Sequence, residues 1–293
     1  MFDITCSIVL YHNPVDDVRK AIESFLNCGK NIKLYVVDNS ADDSFRYQFI
    51  SPQLEYIFNG RNLGYGAGHN LAIQKVMGKS KYHLVLNPDV EFNPDILKAL
   101  HDFMELNTEV GLVMPQVFYR NGSVQHLCKK IPTPFDLIMR RFLPSALTGF
   151  FQKQLDEYEL KHKDYKNIFE VPNLSGCFMF IRNDIFRNVG LFDERYFMYL
   201  EDTDLCRRIN ESYRTVYFPK VSIIHGYSKA SYKSFKLMKY HLESSVKYFN
   251  KWGWFKDLKR EAINYSVLSN AYVPKLKAPK DYFVKKQNPL AVL

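Results

Sequence analysis

The stretch FMYLEDTDLCRR, residues 197–208, sets Glu201, Asp202 and Asp204 within four positions, directly after a run of bulky apolar side chains. Acids so spaced can do several things. Asp202 or Thr203 could cap a helix running through Ile209, and Glu201 or Asp204 could pair with Arg207 or Arg208. Alternatively one acid is a general base, its pKa raised by the aromatic wall on its N-terminal side. The stretch alone does not choose between them.

Four further stretches offer chemistry. VVDNS closes an apolar run on Asp38, which either caps the next turn or accepts hydrogen bonds from a nucleotide base or ribose. NLGYGAGHN, residues 62–70, is either a tight strand-to-helix turn or a backbone cradle for a diphosphate at a helix start. It is not the dinucleotide fingerprint, because the glycine spacing differs and it follows the third strand. LNPDV, residues 86–90, delivers Asp89 with Asn87 two residues earlier on the same side. That is either a plain turn or a pair able to hold Mg²⁺ or Mn²⁺ that keeps most of its waters and binds substrate phosphates. His225 closes VSIIHGYS, as an edge residue or, if Asp89 lies near it, a ligand.

The elements that must position these residues alternate. Strands are expected at 5–11, 32–40, 54–58, 82–90 and 110–117. Helical spacing separates them, for example at Val15, Val18, Ile22, Phe25 and Leu26, and again from Ile96 to Met104. This alternation predicts a mostly parallel, Rossmann-like α/β sheet flanked by helices. Ligands then gather beyond the carboxyl ends of the strands, where Asp38, the glycine-rich loop and Asp89 would share a cleft. Residues 133–151 are apolar and aromatic, either a helix covering the core or an element touching lipid. CFMFI restores a strand, NDIFRNVGLFDE a helix and turn, and RTVYF with VSIIH a last pair of strands.

Read in order, VVDNS, NLGYGAGHN, LNPDV, GCFMFIRNDIFRNVGLFDERYFMYLEDTDLCRR and HGYSKAS resemble the inverting glycosyltransferases of family 2, and among them the rhamnosyltransferase-like members. The resemblance spans about residues 4–235 and implies a GT-A fold. A domain over 1–228 would comprise a nucleotide-sugar half (1–117) and an acceptor half (118–228). It implies that Asp38 contacts the donor base, that Asn62, Gly64 and Asn70 lie beside the nucleotide and sugar, and that Asn87 is on the donor side. Asp89 would hold Mg²⁺ or Mn²⁺, with His225 a second ligand. Asp202 would be the catalytic base, Glu201 and Asp204 its support, and Asp193 and Glu194 would shape the acceptor side. Many family members carry Asp where this chain has Asn87, which leaves less negative charge for a cation. The resemblance points to transfer of a sugar, L-rhamnose from dTDP-rhamnose above galactose, glucose or N-acetylglucosamine. The acceptor would be a saccharide hydroxyl on a lipid-linked intermediate of cell-surface polysaccharide or O-antigen. A nucleotidyltransferase and a non-catalytic surface-binding protein are the alternatives of other classes.

Charge is uneven. The whole chain carries +9, yet from Lys229 onward there are 14 Lys and Arg against 4 Asp and Glu, so the tail holds the entire excess. Lysines there alternate with Tyr, Phe and both tryptophans, a pattern suited to a helical basic extension (229–293) lying on an anionic membrane. No nucleic-acid-reading module accompanies the charge. The five cysteines show no zinc-ligand spacing and suit a reducing compartment. With no signal peptide and no apolar run near the ~20 residues of a membrane span, a cytoplasmic protein peripheral to the inner face of a bacterial membrane is expected.

Overall fold

Four apolar, β-branched runs pair in parallel. These are β1 (Phe2–Leu10), β2 (Ile32–Asp38), β3 (Leu54–Phe58) and β4 (Ser80–Leu86), with β1 between β2 and β4 and β3 outside β2. The connections are helical. In α1 (Val15–Leu26), Val18, Ala21, Ile22 and Phe25 recur every three to four residues and are buried. α2 (Tyr65–Val76) returns the chain from β3 to β4. The computed structural model describes residues 1–142, 145–226, 234–269 and 276. The 228/229 boundary, all of SKAS and the chain after 276 lie outside the described residues.

Beyond β4 the sheet becomes mixed. The order is β3-β2-β1-β4-β8-β6-β9-β5, with β7 (Phe169–Glu170) pairing β9. β8 (Phe178–Arg182) runs antiparallel to both β4 and β6 (Val110–Phe118), so the start of β8 lies at the carboxyl end of β4. The expected strand over 82–90 is two: β4 stops at Leu86, Asn87-Pro88-Asp89 turns, and β5 (Val90–Phe92) starts afresh against β9. Pro88 lacks the N–H that a continuing ladder needs. The expected last pair of strands is one long strand, β9 (Arg214–His225). Its pairing with β6 slips between Phe218 and Ser222, the stretch containing Pro219.

Helices α3 (Asp95–Leu106), α6 (Ile185–Val189) and α7 (Glu201–Ile209) pack on this sheet, and α4 (Pro134–Phe142) and α5 (Ser145–Tyr158) form a pair beside it. One apolar core runs beneath both halves of the sheet. The basic extension forms α8 (Phe235–Trp252) and α9 (Leu258–Leu268). Both dock on the body. Tyr248 and Phe249 are buried with Leu137, Tyr196 and Leu200, and the Asn264 side chain exchanges hydrogen bonds with the backbone of Ile131. No helix among the described residues is long and apolar enough to cross a membrane.

Candidate active site

The β5–β9 register sets Val90 opposite His225, so the Asn87–Asp89 turn meets the end of β9. Gly226 N–H donates to the Asp89 carbonyl at 2.9 Å. His225 Nε2 lies 3.4 Å from Asp89 Oδ1 and 3.3 Å from Asn87 Nδ2. Gln125, which no motif or periodicity marks, fixes the ring. Its amide nitrogen donates to the His225 carbonyl at 2.8 Å, turning its oxygen to His225 Nδ1 at 3.0 Å. An amide oxygen only accepts, so Nδ1 carries a proton and Nε2 is the ring atom that faces the turn. Burial pushes the Asp89 carboxyl up, but His225 and then Arg120 outweigh burial and hold it below its ordinary value.

Asp89, His225 and the Asn87 amide form a mixed oxygen and nitrogen donor set that fits Mg²⁺ or Mn²⁺ sharing its sphere with phosphate and water. Among the described residues no group of three or more His, Cys, Asp and Glu could hold a metal. A cation here would therefore depend on ligands brought by a substrate.

On α7, Asp202 Oδ2 accepts from Gly176 N–H at 2.9 Å and Oδ1 from Thr203 N–H at 2.7 Å. It does not cap the helix. The N-cap is Leu200, without a side-chain bond. Cys177, next to Gly176, accepts from Asn87 N–H at 2.9 Å through its carbonyl. The turn 176–177 that leads into β8 thus ties the acid to the Asn87–Asp89 turn. Tyr65, also not foreseen as a site residue, donates its hydroxyl to the Gly176 carbonyl at 2.6 Å. Glu201 behaves differently from its neighbour. It is 5% exposed, its Oε2 finds no partner among the described residues, and burial, then Asp202, pushes its carboxyl well above the usual range. Burial thus favours the protonated form of Glu201, beside an Asp202 already supplied with donors. The third acid, Asp204, is wholly buried and spent on Arg208 (2.9 Å), Lys251 (2.6 Å) and Trp252 Nε1 (2.8 Å).

A cavity of about 820 Å³ has Asn87, His225, Glu201, Asp202 and Tyr65 in its wall and extends past Gly176 to Lys129 and the α4–α5 pair. The other expected site residues lie outside that wall. Asp38 is buried, accepting from Ser40 N–H at 2.8 Å and from the Tyr56 hydroxyl at 2.5 Å. Asn62 accepts from Gly64 N–H at 2.9 Å. Asn70 is a staple. It donates to the Phe192 carbonyl and to Glu194 and accepts from Phe192 N–H. Asp193 pairs with Arg195 and with Lys251.

Gly64 needs to be glycine for two reasons. Its φ is +89°, and a Cβ there would collide with the Phe197 carbonyl oxygen. That same oxygen accepts from Tyr65 N–H at 3.0 Å, so the glycine-rich loop abuts the segment leading to Glu201. Tyr199 and Leu200, the two residues before Glu201, both adopt left-handed backbone, with φ of 71° and 66°. Each conformation costs roughly 1–2 kcal/mol in a residue with a Cβ. Strain so close to candidate chemistry must be held in place by its surroundings.

The family model for glycosyl transferase family 2 matches residues 6–190. The N-acetylglucosaminyl-diphospho-decaprenol L-rhamnosyltransferase of Mycobacterium tuberculosis is 26% identical over 244 residues, 77% of this chain and 76% of that one. Rhamnosyltransferase WbbL of Escherichia coli is 29% identical over 256 residues, 82% of this chain and 90% of that one. In fold, the chain is similar to GalNAc-T7, crystallised with UDP, GalNAc and Mn²⁺. The TM-score is 0.57 at 14% identity, over 92% of this chain and 58% of that one. With more than half its length matched and a mixed α/β sheet of the GT-A kind, the chain belongs to glycosyl transferase family 2.

Proposed function

We propose that the protein is an inverting rhamnosyltransferase that moves L-rhamnose from dTDP-rhamnose to a saccharide hydroxyl of a lipid-linked precursor of cell-surface polysaccharide or O-antigen. The observation that carries this reading is the single cavity uniting Asp202 with Asn87 and His225. The choice of sugar and lipid-linked acceptor is supported by the names of the mycobacterial and Escherichia coli relatives.

In this reading Asp202 takes the proton of the acceptor hydroxyl, which attacks the anomeric carbon opposite the leaving nucleotide. A positioned base contributes ~10²–10⁴ in rate. Gly176 N–H and Thr203 N–H aim the carboxylate, and Glu201, whose carboxyl burial shifts toward its protonated form, does not compete for the proton. Asn87, Asp89 and His225 would hold Mg²⁺ or Mn²⁺, which when bound stabilises the charge growing on the departing diphosphate. The base of the donor would lie toward the end of β2, where Tyr56 and Ser40 hold Asp38.

The enzyme would work at the cytoplasmic face of the membrane, attached through 229–293. This is supported by the α8–α9 corner, where Phe255 is 83% and Leu258 79% exposed, flanking Lys256. It is a smaller basic surface than the composition suggests, because Lys251, Lys247 and Lys259 bond to the body. Thermal shift against a panel of nucleotide sugars with Mn²⁺ tests the donor. Stabilisation by dTDP-rhamnose above the UDP sugars is expected, and preference for a UDP sugar would overturn the assignment.

A further inference from the structure

We propose that α8 is a positioning element for the catalytic loop, holding the strained Tyr199–Leu200 turn so that Asp202 faces the cavity. This rests on Asp202 acting as the base. The loop 196–200 is gripped from two sides at adjacent carbonyls. Phe197 O accepts from Tyr65 N–H at 3.0 Å, on the donor side. Met198 O accepts from the Ser244 hydroxyl of α8 at 2.8 Å, and Ser244 is buried. Rings of α8 continue the grip, with Tyr240 centred 4.6 Å from Phe197 and His241 5.3 Å from Tyr199. The two left-handed residues follow at once, and then Glu201 and Asp202.

The far end of α8 latches the helix that the loop feeds. Lys251 and Trp252 both bond Asp204 Oδ1, two residues after Asp202 and buried on the opposite side of α7 from the cavity wall. Arg207, one turn further, is 2.6 and 2.7 Å from the two oxygens of Asp257 and lies under the Trp252 ring at 4.1 Å. Every one of these partners comes from the C-terminal extension. The arrangement gives Asp204 a role: it is the handle by which the extension sets α7. Two left-handed residues without glycine relax to ordinary backbone unless contacts oppose it. Relaxation there would swing the first turn of α7, and with it Asp202.

The test is a double-mutant cycle between Ser244→Ala and Tyr199→Gly, because glycine adopts the left-handed turn without needing to be held. Ser244→Ala is expected to lower kcat about tenfold with donor KM unchanged, as a misplaced base does. In the Tyr199→Gly background the same change should cost less than about threefold. Lys251→Met, which acts through Asp204, should couple to Tyr199→Gly in the same way and serves if Ser244→Ala proves unstable. Independent, multiplicative effects, or a Ser244→Ala enzyme with full kcat, would overturn the proposal. Asp202→Asn run alongside separates the two claims. If it retains transfer, the base assignment fails. If it is inactive while the cycle shows no coupling, only the positioning role fails.

Discussion

Asp202 and Gly176 meet at 2.9 Å, carboxylate oxygen to backbone N–H, across 26 residues of sequence. The next residue, Cys177, holds the Asn87 N–H. One short turn before β8 therefore holds both the acid and the Asn87–Asp89 turn.

Removing the charge while keeping the shape isolates the chemistry. Asp202→Asn turns an NH2 group toward one of the two backbone N–H groups, so it is expected to fold with a slightly lowered melting temperature, to bind nucleotide normally, and to lose about 10²–10⁴ of kcat. Lost nucleotide binding in this variant would mean that the residue organises the site rather than reacting.

Gln125 acts on the cation only through His225. Gln125→Leu leaves Asp89 and Asn87 in place but frees the ring to rotate and to change tautomer. Mn²⁺ affinity, titrated with a nucleoside diphosphate present, should fall about 10–100-fold. Unchanged affinity would show that His225 is no ligand.

The Arg207–Asp257 pair is 2% and 4% exposed and joins α7 to the start of α9. Arg207→Met leaves Asp257 buried without its main partner and should cost about 3–5 kcal/mol. Adding Asp257→Asn removes that charge while keeping an acceptor for the Arg260 N–H cap, so chemical denaturation should show partial recovery. A double variant as unstable as the single would place the loss in packing.

Two buried histidines and one buried glutamate give stability a pH dependence of readable sign. His83 is bonded to Thr5 and Ser7, and His69 shares Ser7. Burial, then the neighbouring His83, holds His69 well below 6.5, and burial pushes His83 down to about 3. Below pH 6.5 each ring is more than half protonated in the unfolded chain and neutral in the folded one, so stability falls with pH. Glu201 acts oppositely, since its raised pKa keeps in the folded state a proton that the unfolded chain has lost. Two rings outweigh one carboxyl. The urea midpoint should decline from pH 6.5 to 5.5, and more steeply in Glu201→Gln. An equal slope in that variant would mean that Glu201 is ionised in the folded protein.

Much of the sheet is legible because β1, β2 and β6 are rich in apolar residues, and because Asp89 follows such a run and His225 closes one. Their meeting was not, since it depends on the β5–β9 register, which no local pattern encodes. The strand expected over 82–90 breaks at Pro88, which lacks the N–H that a continuing ladder needs although apolar residues surround it. Gln125 lies in an irregular stretch where neither periodicity nor spacing marks it. The tail read as basic and aromatic, which it is. Its acid partners, Asp193, Asp204 and Glu211, lie 47 to 58 residues away in sequence, so how much of that charge faces solvent could only come from packing.

The most direct measurement is release of nucleoside diphosphate from dTDP-rhamnose with a detergent-solubilised polyprenyl-diphosphate sugar acceptor, with and without Mn²⁺. Wild-type and Asp202→Asn proteins should be run side by side. Release that requires the acceptor, rises with Mn²⁺ and disappears in Asp202→Asn is the expected result. Equal release by the two proteins would contradict the account, because the carboxylate held by Gly176 would then take no part in the transfer.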